Sequence, residues 1–334
     1  DLAVAYLPNA SPIQIDMTSF PRPMRGHWFD PVRNLQLPIA EAIPAGGVQT
    51  LAPPAAGDWV LRLTEAKPRL MVLTDIGGDA DDQQSMVRLL AHANEFEVEG
   101  LLATSRMGHG HDTMPQLITN SVQAYGQVIS NLVMHASGWP TESYLRDRIR
   151  TGHGDPSVVG EGADTPASSR IIAAADADDP RPLWIVIWGG SRELAQALWR
   201  VQQDRSAADV AAFVSRLRVH AITDQDGHGA EIRAAFPALF WIDDGSGLAR
   251  EYQVFRGQYQ TGDSSLQNRD WINANIRAGH GPLGAQYPQD GDGVPGMKEG
   301  DTPSYLYVLP HGLNDPFHPD WGGWGGRFLF ASNQ

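Results

Sequence analysis

The chain has 334 residues, 42% hydrophobic and 19% charged, enough for one large domain or two with a sizeable core. A formal net charge of −14 excludes the basic surface that contact with a nucleic-acid backbone requires, and no apolar run reaches the roughly 18 residues of a membrane span. The absence of cysteine removes disulfides, thiolate zinc sites and cysteine nucleophiles.

Residues 1–66 read as a small β-rich, sandwich-like domain. Short strand-like runs, Leu2–Leu7, Ile13–Met17, Met24–Phe29, Gly47–Leu51 and Trp59–Leu63, are separated by Pro, Gly, Asn and Asp. The pattern changes over residues 67–334. Arg69–Thr74 is a continuous apolar run, as expected of a strand buried on both faces. A helix follows with Met86, Leu89, Leu90 and Ala93 on one stripe. Next come strand Val98–Ala103, helix Met114–Ile129, strand Leu183–Trp188, helix Ser191–Gln202, strand Arg218–Thr223 and helix Ala230–Phe236. A last helix starts near Thr302 or Pro303. The alternation predicts an α/β fold, a mostly parallel sheet with helices on both faces, whose ligands bind beyond the carboxyl ends of the strands. Gly152–Ser168 and Gly279–Gly300 read as long Gly-rich loops. The chain starts with Asp1 and shows no signal-peptide pattern, so it is expected to be processed or cut from something longer.

The strongest chemical signal is Thr74-Asp75-Ile76-Gly77-Gly78-Asp79-Ala80-Asp81-Asp82, with four carboxylates in eight residues where a buried strand meets a helix. An N-cap accounts for one or two of them. Four repel one another, and a hard polyvalent cation is the simplest neutralising partner. Ca²⁺ suits carboxylate and carbonyl oxygens, Mg²⁺ is the second choice, and zinc lacks His or Cys at ligand spacing. Neither a Gly-Lys-Ser/Thr phosphate loop nor a Gly-x-Ser-x-Gly elbow is present. The Trp-Gly-Gly-Trp-Gly-Gly run, Trp321 to Gly326, offers indole rings on which sugar faces stack, or a turn packed on the core.

The chain resembles the nucleoside hydrolases, and more closely a secreted, nucleoside-hydrolase-like family grouped around a cellulose-binding protein. The carriers are Thr74-Asp75-Ile76-Gly77, Asp81-Asp82-Gln83-Gln84-Ser85, Trp188-Gly189-Gly190, Asp224-Gln225-Asp226, Gly279-His280-Gly281-Pro282 and Glu299-Gly300-Asp301-Thr302-Pro303-Ser304. The match runs in order through nearly all of residues 68–330. It implies that Asp75, Asp82, the Trp188 carbonyl and Asp301 hold Ca²⁺, that Asp75 takes the proton of the attacking water, and that Asp81 binds a sugar hydroxyl. Two extra residues precede the Asp81-Asp82 pair, so Asp79 competes for that last role. Ser105, Asp224, Asp226 and Trp324 complete the expected sugar contacts. Gly300 stands where one group of nucleoside hydrolases carries the His that protonates a base, which leaves Glu299, His280, Asp226 and His109, in that order, as acids for the leaving group. Residues 1–66 resemble the small C-terminal β-domain of certain glycoside hydrolases through Tyr6-Leu7-Pro8-Asn9, Trp28-Phe29-Asp30-Pro31 and Asp58-Trp59-Val60-Leu61, with an inert packing module as the other reading.

The expected function is Ca²⁺-dependent hydrolysis of an N- or O-glycosidic bond. The alternative is a non-catalytic module that binds cellulose or another polysaccharide on the same scaffold. The expected partner is a carbohydrate or glycoside, with neither nucleic acid nor membrane. The expected location is secreted or periplasmic in a bacterium, and a homo-oligomer is compatible with the sequence.

Overall fold

The computed structural model describes residues 2–106, 108–243, 263–291, 294–309 and 315–323. The chain divides into two compact units, Asp1–Pro68 with Ala177–Pro182, and Arg69–Asp176 with Leu183–Gln334.

The first unit holds β1 (Leu2–Leu7), β2 (Ile13–Asp16), β3 (Met24–Asp30), β4 (Leu35–Ile43), β5 (Val48–Leu51) and β6 (Trp59–Glu65). Four of them form an antiparallel sheet in the order β1-β6-β3-β4, and β2 pairs with β5. Met24 and Trp28 of β3 and Trp59, Leu61 and Leu63 of β6 alternate into one core, as a sheet with one buried face requires. The sequence reading lacks β4. Pro38 interrupts its pattern, yet β4 is an edge strand, where a missing backbone N–H is tolerated.

In the second unit the elements are β7 (Arg69–Thr74), α1 (Ala80–Leu90), β8 (Glu97–Ala103), α2 (Pro115–Leu132), α3 (Glu142–Arg146), β9 (Ile149–Thr151) and α4 (Pro166–Ala175). Then follow β10 (Leu183–Ile187), α5 (Arg192–Asp204), α6 (Ala207–Ser215), β11 (Leu217–Ala221), α7 (His228–Ala235) and β12 (Phe240–Asp243). The remainder is α8 (Arg269–Ile272), α9 (Gly281–Ala285), β13 (Asp290–Gly291), β14 (Val294–Pro295) and α10 (Thr302–Leu306). The Gly279–Gly300 stretch, read as a loop, thus contains a helix and a short strand pair. None of the described helices is long and apolar enough to cross a membrane.

The six-stranded sheet runs β12-β11-β10-β7-β8-β9, and every pair in it is parallel. Period-two alternation divides its side chains between two cores. Leu70, Val72, Trp184 and Val186 face one that includes Met86 and Leu89 of α1 and Val122 of α2, whereas Met71, Leu73, Ile185 and Ile187 face another with Ile171 of α4, Leu194 of α5 and Phe213 of α6. From β7 the chain builds outward through β8 and β9, then returns to place β10 on the other side of β7. That reversal opens a crevice between the carboxyl ends of β7 and β10, where ligands bind in open α/β sheets.

Candidate metal and sugar site

The Asp-rich loop leaves β7 at this crevice. Asp79 caps α1, accepting a hydrogen bond from the Ala80 amide at 2.7 Å, so Asp81 and Asp82 fall in the first helical turn. Asp301 sits at the start of α10, more than two hundred residues away in sequence, and α1 itself draws it in. The Gln84 side chain accepts from the amides of Lys298 and Glu299 at 2.8 and 3.1 Å, and donates to the Pro288 and Gly296 carbonyls at 3.1 Å each. Thr302 Oγ1 and Ser85 Oγ are hydrogen-bonded at 3.1 Å. One face of α1 thereby latches the 296–302 segment over its own N-terminus.

The result is a cluster in which one carboxylate oxygen each from Asp81, Asp82 and Asp301 lies within 4.8 Å of the others, all three residues buried. Asp75, 6% exposed, adjoins it with the Asp82 carboxylate beside it. Burial pushes Asp75 and Asp81 up to about 6. Burial first, then repulsion from the neighbouring carboxylates, pushes Asp82 and Asp301 well above the carboxylate range. Thr74 Oγ1 donates to Asp82 Oδ1, whereas Asp301 Oδ2 is buried with no hydrogen-bond partner. Buried polar atoms are rarely left so. A set of clustered, oxygen-only donors with one of them orphaned fits a hard divalent cation.

Close approach of the β10 exit requires glycine. A Cβ on Gly189 would lie 2.5 Å from Asp75 Oδ1, and one on Gly190 2.3 Å from Asp226 Oδ2. Trp188 directly follows β10. Its carbonyl accepts from Gln225 Nε2 at 2.7 Å, which leaves one lone pair, and its ring donates to Ser304 Oγ at 3.0 Å.

Other expected residues have different work. Glu299 is not available as the leaving-group acid: it is fully buried, its carboxylate clasped by the Arg88 guanidinium, the Tyr287 hydroxyl at 2.6 Å and Thr302 Oγ1 at 3.0 Å. The cause is that Arg88, four residues after Gln84 on α1, meets Glu299 in the same latch. Glu299 is held there at φ +46°, a left-handed conformation that costs a non-glycine residue about 1 kcal/mol. His280 is exposed, and its ring bonds to the Ala274 carbonyl at 2.9 Å rather than to a clustered carboxylate. Asp224 uses both oxygens on the amides of Gly229 and Ala230 in α7, and Asp226 accepts from the amides of Arg192 and His228. Both therefore anchor helix starts. Ser105 donates to the Gly154 carbonyl at 2.6 Å. Trp324 lies outside the described residues. Asp79 has one oxygen on its cap and the other on Lys298, which leaves Asp81 as the freer acceptor at the rim. His109 does approach the centre: its Cδ2 is 3.6 Å from a Cβ built on Gly78, and that Cβ is 3.3 Å from Asp75 Oδ2.

Lys298, the contact of Gln225 with the Trp188 carbonyl and the clamp of Arg88 and Tyr287 on Glu299 are absent from the sequence reading. Only Lys298 left a signal, since the chain has two lysines, Lys67 and Lys298, and one stands three residues before Asp301. The clamp has a testable consequence. Arg88→Met leaves the buried Glu299 carboxylate only the Tyr287 and Thr302 hydroxyls, and because Arg88 itself is partly exposed the expected loss is about 2 kcal/mol, below that of a fully buried pair. Urea unfolding of this variant is expected to show that loss, and Glu299→Gln, which keeps hydrogen-bonding capacity, a smaller one.

A doubly wound parallel sheet, with an oxygen-only acidic cluster at its switch point, defines a protein of the nucleoside hydrolase-like class. The chain belongs to the family described as cellulose-binding Sde182, nucleoside hydrolase-like domain, whose model matches residues 69–328. It is similar to the structure of a nucleoside hydrolase-related hypothetical protein from Saccharophagus degradans that is associated with carbohydrate metabolism. Identity is 38% and the TM-score 0.67, over 79% of this chain and 60% of that one. The chain thus spans less than two thirds of that relative's length. No curated protein matches it.

Proposed function

We propose that this chain hydrolyses a glycosidic bond of a carbohydrate outside the cell, with Ca²⁺ held by Asp82, Asp301, Asp75 and the Trp188 carbonyl. The observation that carries this reading is the convergence of buried carboxylates from two distant stretches on one point at the sheet's switch point, one oxygen of Asp301 lacking any donor. A bound divalent cation would supply a water of lowered pKa beside the sugar. Asp75 would serve as general base, taking the proton of the attacking water. Asp81 accepts a hydrogen bond from a sugar hydroxyl, and the carboxylates together stabilise the positive charge that develops on the sugar ring. With Glu299 clamped and His280 bonded elsewhere, His109 is the ring placed to meet the leaving group. Residues 1–66 serve as an ancillary β-domain of glycoside-hydrolase type.

The same two departures, Glu299 and His280, favour a second reading. A scaffold without a committed acid suits a protein that holds polysaccharide without cleaving it, and the family is described as cellulose-binding. A panel of nucleosides, aryl furanosides and aryl pyranosides, assayed with and without chelator beside a cellulose pull-down, separates the two. Turnover abolished by chelator supports the hydrolase. Retention on cellulose with no turnover anywhere in the panel overturns it in favour of the binder.

A further inference from the structure

We infer that Lys298 is a resident counter-ion that sets the divalent-cation affinity of the carboxylate cluster by competing for Asp81. The inference rests on the ion reading above and deepens it. The Lys298 ammonium pairs with Asp79 and lies 3.4 Å from Asp81 Oδ2, with 19% of its side chain exposed. Asp81 is one of the three residues whose oxygens cluster, so a cation at that cluster and the ammonium face the same carboxylate. The backbone fixes the lysine in place, because its amide donates to Gln84 Oε1 at 2.8 Å in the latch that also carries Asp301. The residue type matters as well. Nearly every cationic side chain in the sequence is arginine, whose planar fork engages a carboxylate bidentately, whereas lysine presents a compact point charge that two carboxylates share.

Two consequences follow from charge alone. The ammonium repels a dication and weakens its binding. It also draws Asp81 away from the ion, which keeps that carboxylate as an acceptor for a substrate hydroxyl instead of a fourth acidic ligand.

The test is calorimetric titration of chelator-stripped protein with CaCl₂, with Tb³⁺ luminescence as a second ion probe. Lys298→Met keeps the length and apolar stem of the side chain and removes its charge. It is expected to bind Ca²⁺ at least about tenfold more tightly, the lower bound set by a unit charge a few ångströms from a dication even at the dielectric of water. Tb³⁺ affinity is expected to rise by a larger factor, because the repulsion scales with ion charge. Asp79→Asn leaves the ammonium to Asp81 alone and is expected to weaken Ca²⁺ binding. A residue that merely supports the loop would give the opposite sign for Lys298→Met, so weaker or unchanged binding overturns the inference. Lys298→Gln provides the same test where the Met variant does not fold. Absence of binding to the wild-type protein would remove the ion reading and this inference with it. Wild-type binding with unmoved variants would remove the inference alone.

Discussion

Calcium added to chelator-stripped protein is expected to raise its unfolding temperature, and Asp301→Asn is expected to abolish that rise while melting above the wild type when chelator is present. The first half is mass action. A ligand at a hundredfold excess over its dissociation constant stabilises the folded state by about 2.7 kcal/mol, or about 5–10 °C for a domain of this size. The second half follows from the site's own electrostatics. Asp301 buries an oxygen with no donor among carboxylates that repel it. An unpartnered buried polar atom costs about 1–3 kcal/mol. The amide of Asn removes the charge and brings an N–H that donates to Asp81 or Asp82. Differential scanning fluorimetry of the two proteins, each in calcium and in chelator, gives four values. A variant that melts lower in both conditions would refute the account, since Asp301 would then be a structural residue and not an ion ligand.

What was legible in the sequence follows the range of the interaction. The strands of the central sheet declare themselves locally: six consecutive buried residues in Arg69–Thr74 and five in Leu183–Ile187 leave little other choice. The Asp-rich loop is equally local. Helix α6 is short, and its signals, Ser206 as cap and the stripe of Val210, Phe213 and Val214, fit within three turns. In α4, Thr165 and Ser168 form a capping box inside a stretch read as loop because of its glycines. Such elements were present in the sequence but brief. The latch between α1 and the 296–302 segment is different in kind. Gln84, Ser85 and Arg88 look like the polar face of a helix, and nothing within ten residues of them says that Lys298, Glu299 and Thr302 are their partners. Glu299 illustrates this: beside Asp301 it has the address of a catalytic acid, while its carboxylate partners, Arg88 and Tyr287, are distant or unremarkable in sequence.

The fastening also explains why buried carboxylates can be held together at all. Repulsion among Asp75, Asp81, Asp82 and Asp301 works to open the site, and it is opposed on both sides by contacts outside the cluster. On one side stand the Gln84 hydrogen bonds and the Arg88–Glu299 pair, and on the other Thr74 beneath Asp82. The rim carries Lys298. The supporting shell is thus as specific as the acidic centre, as a preorganised site requires.

Asp75→Asn is expected to lower turnover by at least about a thousandfold on whichever glycoside of the panel is cleaved, and to leave cellulose retention within about twofold of wild type. Asp75 is the buried carboxylate at the exit of β7, packed so closely on Gly189 that no Cβ fits there. Loss of a positioned general base lowers rates by about 10²–10⁴-fold, and an Asp that also ligates the ion belongs at the upper end. Asparagine keeps the shape and one carbonyl oxygen, so the packing against Gly189 persists and only proton acceptance and one ligand charge are removed. Steady-state kinetics, with the cellulose pull-down on the same protein samples, checks both parts. Were the polysaccharide-binding reading correct, no turnover would exist to lose. Retention would then fall with Asp75 and with chelation, because the cluster would be the grip on the sugar. The two readings therefore predict opposite behaviour of retention in one variant, which makes Asp75 the most informative single position in the chain.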